Sequence, residues 1–245
     1  CPHRGVSLAL ARNADCALHC IFHGWKIDVS GKVVDVPPEP VERRAEFAAR
    51  VKVRHYPTRE AAGILFVWLG GGEPAPFPAF NWTGLPANHL SIKVGIIPAN
   101  WLNGMEGQLD SAHVGILHSD WVNKGDKFGK SNIDRTTLDL APRFEFEDQP
   151  YGYREAAVRT MPDGQKYVRV REYVMPWYSY IPQQGGREAV QLMTMSVPVD
   201  DYTSAQWDVG YTLGGPIDIA KVPGGNAPPY LDLTLGGMGT IATRF

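Results

Sequence analysis

The sequence predicts an α+β protein in two parts: a small all-β domain over residues 1–76, then an α+β domain over 77–245 in which strands accompany one long helix. Three observations predict this. Short β-branched and aromatic runs separated by turn pairs recur along the chain, and one stretch, Asn100 to His118, has helical periodicity. Between the parts, Glu73-Pro74-Ala75-Pro76-Phe77-Pro78 cannot continue a central strand and suits a stiff connection.

In the first part, Ile27–Val29 and Val33–Val36 flank Ser30-Gly31-Lys32 as hairpin arms, Pro37-Pro38-Glu39-Pro40 and Gly70-Gly71-Gly72 are turn signals, and Gly63–Leu69 is a fully apolar strand. In the second, Leu90–Ile97 reads as a strand. Leu102, Met105, Leu109, Ala112, Ile116 and Leu117 then recur at three and four spacing, as one long helix requires. Tyr151–Arg159, Tyr167–Met175 and Val190–Pro198 are further strands between Pro-Asp-Gly and Gly-Gly turns.

With 245 residues, 44% hydrophobic and 20% charged, the chain can bury one large or two modest cores, which argues against disorder. The net charge of -2 and scattered basic residues leave no footprint for nucleic acid. No apolar run approaches the roughly 20 residues of a spanning helix and no signal pattern opens the chain, so a soluble, cytoplasmic protein without a membrane partner is expected. All three cysteines lie within the first 20 residues, the wrong placement for a secreted disulfide framework, and metal binding is their leading use.

Cys1-Pro2-His3 and Cys20-Ile21-Phe22-His23 form Cys-x-His, sixteen residues, Cys-x-x-His. Each short loop offers one thiolate and one imidazole. A Rieske centre needs that division, with two thiolates on one iron and two imidazoles on the other. A structural zinc site is the competing use of two Cys and two His, although zinc fingers usually pair like with like. Cys16 lacks a partner at ligand spacing and reads as a small core residue, and His19 as a strand or turn residue. With Arg4-Gly5 and Gly24-Trp25 beside the ligands, Cys1 to Pro40 resembles the Rieske domain of aromatic-ring-hydroxylating oxygenases. The resemblance implies a [2Fe-2S] cluster on Cys1, His3, Cys20 and His23 that relays single electrons.

Further on, Asp110-x-x-His113-x-x-x-x-His118 sets two histidines and a carboxylate together. Non-haem iron oxygenases hold ferrous iron by two His and one carboxylate on one face. A buried helix carrying two satisfied histidines is the plainer reading. A five-residue step turns an ideal helix by roughly 140°, so a helix holding both as ligands must loosen, bulge or end between them. Asp110 lies on nearly the face of His113 and suits orienting that imidazole rather than binding metal.

Both motifs in this order, with Asn100-Trp101 and Glu106 leading into the second, resemble the oxygenase α subunit, in the group of phthalate 4,5-dioxygenase and the aryl-ether O-demethylases. The resemblance implies mononuclear Fe(II) on His113 and His118, dioxygen as co-substrate, and electrons from NAD(P)H through a separate flavin and iron–sulfur reductase. It further implies a homotrimer or a multiple of it, in which Asp110 bridges an iron-bound His to a Rieske His of the neighbouring chain, and a small aromatic substrate. Contact of Glu106 with metal is left open.

The family's third iron ligand, a downstream carboxylate, is not found before Phe245. Asp200-Asp201 lie in a turn before a strand, and Val222–Pro229 is turn chemistry rather than the expected helix. The chain therefore reads as a piece truncated at both ends. The expected function is a terminal oxygenase component that dihydroxylates, hydroxylates or O-demethylates an aromatic, leaning to a carboxylate-bearing one. Arg143 is a candidate for that carboxylate against the reading of a strand-edge arginine. The alternative is a Rieske electron carrier without oxygenase activity.

Overall fold

The computed structural model describes residues 1–119, 132–182 and 189–219. The chain divides into two compact units, Cys1–Pro78 and Ala79–Phe245. Val222–Pro229 lies outside the described residues.

The first unit is built on a four-stranded antiparallel sheet, β1 (Arg12–Ala14), β2 (Ala17–His19), β3 (Lys26–Asp28) and β4 (Val33–Asp35), in that order. Asp15 and Cys16 both take φ of 54° between Ala14 and Ala17, which pair. That is the two-residue turn whose twist matches a hairpin. Cys16 is consequently exposed at a hairpin tip, a correction to its expected place in the core. The β3–β4 turn is tied by Asp28, whose Oδ1 accepts from Ser30 N at 2.8 Å, Ser30 Oγ at 2.7 Å and Lys32 N at 3.0 Å.

This unit is not β throughout. Helix α1 (Val41–Arg50) follows Pro40 and lays Ala48 and Phe47 on a core of Cys20, Trp25, Ile27, Val33 and Val36. The apolar run near Gly63 is shorter and less buried than expected. Strand β5 (Thr58–Ala61) pairs with β6 (Ile64–Val67) as an isolated hairpin, and only one face of β6 is covered, leaving Leu65 and Val67 exposed.

Among its described residues the second unit holds a seven-stranded antiparallel sheet of β7 (Leu90–Ile97), β8 (Arg143–Gln149), β9 (Gly152–Thr160), β10 (Lys166–Val174), β11 (Tyr178–Ile181), β12 (Gln191–Pro198) and β13 (Ser204–Tyr211). Its order, β7-β13-β12-β11-β10-β9-β8, is a meander from β8 to β13 with β7 added beside the last strand. Helix α2 (Trp101–Leu109) packs on β10 to β13 through buried Met105. A Cβ on Gly104 would stand 2.5 Å from Ser196 Oγ, so glycine permits the close approach. The Ser196 hydroxyl donates to Trp101 O at 3.0 Å, and Gln108 Oε1 accepts from Ser179 and Thr194, pinning the helix to the sheet.

The expected long helix is two. It stops at Leu109, Asp110 is extended, and α3 (Val114–Leu117) starts anew. Asp110 causes the break, because its carboxylate takes the N–H groups of Ala112 at 2.7 Å and His113 at 3.1 Å and so competes with helix hydrogen bonding. Ile116 and Leu117, expected on a buried stripe, are exposed in α3. No helix among the described residues is long and apolar enough to cross a membrane.

Candidate metal centres

In the first unit the two Cys/His loops meet. Cys20 leaves β2 with its N–H bonded to Trp25 O at 2.9 Å, and Gly24 N closes the loop on Cys20 O at 2.9 Å, a turn completed by Gly24 at φ 73°. The other loop closes in the same way, Gly5 N to Cys1 O at 3.0 Å. Cys20 is buried and Cys1 packs against the same core. His3 and His23 stand with ring centroids 4.8 Å apart, and His3 stacks on Trp25 at 4.9 Å.

Burial first, then the neighbouring His23 and Arg4, lower the His3 pKa and favour the neutral ring that ligation requires. His23 Nδ1 is buried with no hydrogen-bond partner, an orphan that a metal bond would satisfy. Facing loops thus bring together two thiols and two imidazoles, the ligand division of a [2Fe-2S] cluster held two and two. His19 is elsewhere in use: its Nδ1 lies 3.2 Å from Arg12 Nη2 and it sits in β2.

In the second unit the break after Leu109 turns His113 and His118 toward each other, ring centroids 5.1 Å apart. Asp110 Oδ2 lies 3.0 Å from His113 Nδ1, a contact that places the proton on Nδ1 and leaves Nε2 for a metal. Partial burial and then His113 lower the His118 pKa. Burial raises Asp110, but the N–H of Ala112, the His113 ring and the His113 N–H outweigh it and hold the carboxyl below its usual value.

Among the described residues no three His, Cys, Asp or Glu gather as a group able to hold a metal ion. His113 and His118 thus offer two positions of a two-His, one-carboxylate site. Glu106 is exposed on α2, and the Asp200 carboxylate accepts Tyr202 N at 2.9 Å in the β12–β13 turn. Arg143 is exposed on edge strand β8 and paired with Glu145, which removes it as a candidate for an enclosed substrate. Sequence reasoning missed a buried charged set beside the Asp110 loop: Glu155, Arg159, Arg169 and Arg171, at most 4% exposed. Its one signal is arginine at every second position of a strand.

Residues 1–57 match the Rieske [2Fe-2S] domain, and residues 67–214 match the family described as LigXa C-terminal domain like. The chain belongs to the Rieske oxygenase family. Among its Rieske oxygenase relatives, the phthalate 4,5-dioxygenase oxygenase subunit of Pseudomonas putida is 36% identical, over 84% of this chain and 47% of that protein. The 3-chlorobenzoate-3,4-dioxygenase oxygenase subunit of Comamonas testosteroni is 32% identical, over 82% and 46%. The chain thus spans about half the length of the curated relatives it matches. The terminal oxygenase of carbazole 1,9a-dioxygenase from Nocardioides aromaticivorans IC177 shares the fold with a TM-score of 0.65 at 17% identity, covering 88% of this chain and 65% of that one. The alternative of an electron carrier gains no support from these matches.

Proposed function

We propose that the protein carrying this chain is the terminal oxygenase of a multicomponent system, acting in the cytoplasm on a small aromatic, carboxylate-bearing compound with dioxygen as co-substrate. The phthalate and chlorobenzoate dioxygenase relatives support that substrate class. The single observation that carries the reading is the break after Leu109, which brings His113 and His118 together and sets Asp110 on the Nδ1 of His113.

Cys1, His3, Cys20 and His23 would hold a [2Fe-2S] cluster and His113 and His118 a ferrous ion. Bound there, these groups supply single-electron relay and dioxygen activation. The chain's own part is positional. Trp25 braces His3, the two loop closures hold the thiols, and Asp110 fixes the ring orientation and tautomer of His113. In an assembly of three chains, or a multiple, Asp110 would also join His113 to a histidine of a neighbour's Rieske domain. An NAD(P)H-dependent flavin and iron–sulfur reductase is the proposed donor; a structural relative solved as a reduced oxygenase–ferredoxin complex supports an electron-transfer partner.

Metal and sulfide analysis of the anaerobically purified full-length protein tests this. Acid-labile sulfide matching two irons per chain, plus further iron lost on His113→Ala, is expected. Zinc without sulfide would end the reading.

A further inference from the structure

Helix α2 is docked on the sheet by hydrogen bonds more than by apolar packing. Met105 alone of its residues is buried, and the strands beneath it offer Ser179, Thr194 and Ser196, each at most 4% exposed. A docked helix ordinarily lays down an apolar stripe. Polar groups enclosed in this way bond one another, and the bonds around Gln108 run on from partner to partner.

They form a chain with one direction. Gln108 Oε1 accepts from Thr194 Oγ1 at 2.5 Å and from Ser179 Oγ at 3.1 Å. Gln108 Nε2 donates to Gln206 Oε1 at 2.6 Å, and Gln206 Nε2 donates to Asp208 Oδ1 at 3.1 Å. Every member thus donates toward Asp208, and an ionised carboxylate can only accept. Lys93 stands opposite Asp208 in the β7–β13 register. Burial raises the Asp208 carboxyl, while the Gln206 amide and the Lys93 charge work the other way and favour the ionised form. A carboxylate at this end fixes which way both amides face, because an amide donates from its nitrogen and accepts at its oxygen.

The other end of the chain lies two residues before Asp110. The last bond of α2, Asp110 N to Glu106 O at 3.0 Å, closes around Gln108. Beyond Asp110, Arg159 donates to Ser111 O at 2.7 Å. The carboxylate that meets His113 Nδ1 therefore hangs from a backbone held on one side to β11, β12 and β13 and on the other to β9. A displaced Gln108 would carry Asp110 with it through one helical turn.

We propose that Gln108 is a positioning residue for the iron site, and that the one-way chain from Thr194 to Asp208 sets where Asp110 stands against His113. This rests on the oxygenase reading and names what holds the residue that orients its histidine.

Ferrous ion is titrated anaerobically, by calorimetry, into full-length protein that carries its cluster and has been stripped of other iron. Gln108→Glu puts a carboxylate on each side of Gln206, whose one amide nitrogen cannot serve both. Ferrous affinity should then fall by about tenfold or more, as for other residues behind a metal ligand, with the cluster absorbance unchanged. Adding Asp208→Asn lets the chain run in reverse: the new amide donates to Gln206 Oε1, and Gln206 Nε2 donates to the new carboxylate at position 108. The double variant should recover most of the lost affinity, a rescue that a residue merely filling space would not show. Unchanged affinity in Gln108→Glu overturns the proposal, as does a double variant that binds no better than the single one. If Gln108→Glu does not fold, Gln206→Met decides by removing the middle link at similar length. It should also cost about tenfold in ferrous affinity, and wild-type affinity overturns the proposal. Wild-type protein that takes up no ferrous ion ends the oxygenase reading itself, whereas the variant results strike this proposal alone.

Discussion

Asp110 ends α2, caps the turn that follows and orients His113, all with one carboxylate. An amide of the same shape keeps one acceptor for the turn and loses the charge. Asp110→Asn in the full-length protein should therefore retain both metals while slowing oxidation of reduced clusters in a single-turnover experiment severely. Wild-type cluster oxidation together with falling iron content would instead make Asp110 a ligand. The two Cys/His loops were legible as loops because spacing within a short turn is fixed by covalent reach, and those around Cys20 and Cys1 close on themselves. The role of Asp110 was half legible: its spacing from His113 showed the contact, but its capture of two backbone N–H groups depends on the helix ending there. Cys16 was misread because its left-handed turn is unusual for cysteine and has no composition signal.

Elements can be tested through what they press on. Gly115 of α3 meets the carbonyl of Thr136 and the Leu140 side chain wherever a Cβ would stand. Gly115→Ala should cost about 1–3 kcal/mol by overpacking and lower Tm by about 2–4 °C per kcal/mol. Because α3 links the two histidines, iron content should fall while the cluster absorbance stays. The loop before β8 offers a pH test. The N–H groups of Thr160 and Ala141, with help from Arg159 and Lys166 and against slight burial, hold the Asp139 carboxyl below its usual value. Its stabilisation is then complete above the unfolded value of about 3.9 and is lost as pH falls through its lower folded value. Thermal melts from pH 7 to pH 3 should show Asp139→Ala less stable at neutral pH, with the gap closing in acid. Most strands of the larger sheet were legible from β-branched runs. Helix α1 was not, since Pro37 to Pro40 reads as turns and Ala48 alone of its residues is buried. The facing of β10 was also hidden, because alternation reveals a period and not which set points inward.

At the scale of the molecule, each compact unit carries its own candidate centre. The expected result is a double dissociation. Cys20→Ser should abolish the cluster absorbance and spare the iron outside it, and His118→Ala should do the reverse, with product formation lost in both. Loss of cluster absorbance in His118→Ala would refute the separation. The sheet that supports the histidines has a further consequence, in time rather than space. Among the described residues β7 pairs with β13 alone, Ile97 against Ser204, so the first described strand of this sheet waits for the last of them. At roughly 5–20 residues per second the ribosome needs on the order of ten seconds to cover that interval. Helix α2 rests on strands made after it, β10 to β13, and the loop bearing His113 has no platform until they pair. Contacts so distant in sequence form slowly. The loop that brings His113 and His118 together is thus settled late in the life of each new chain, whereas the Cys20 loop can close on its sheet while the rest is still being made.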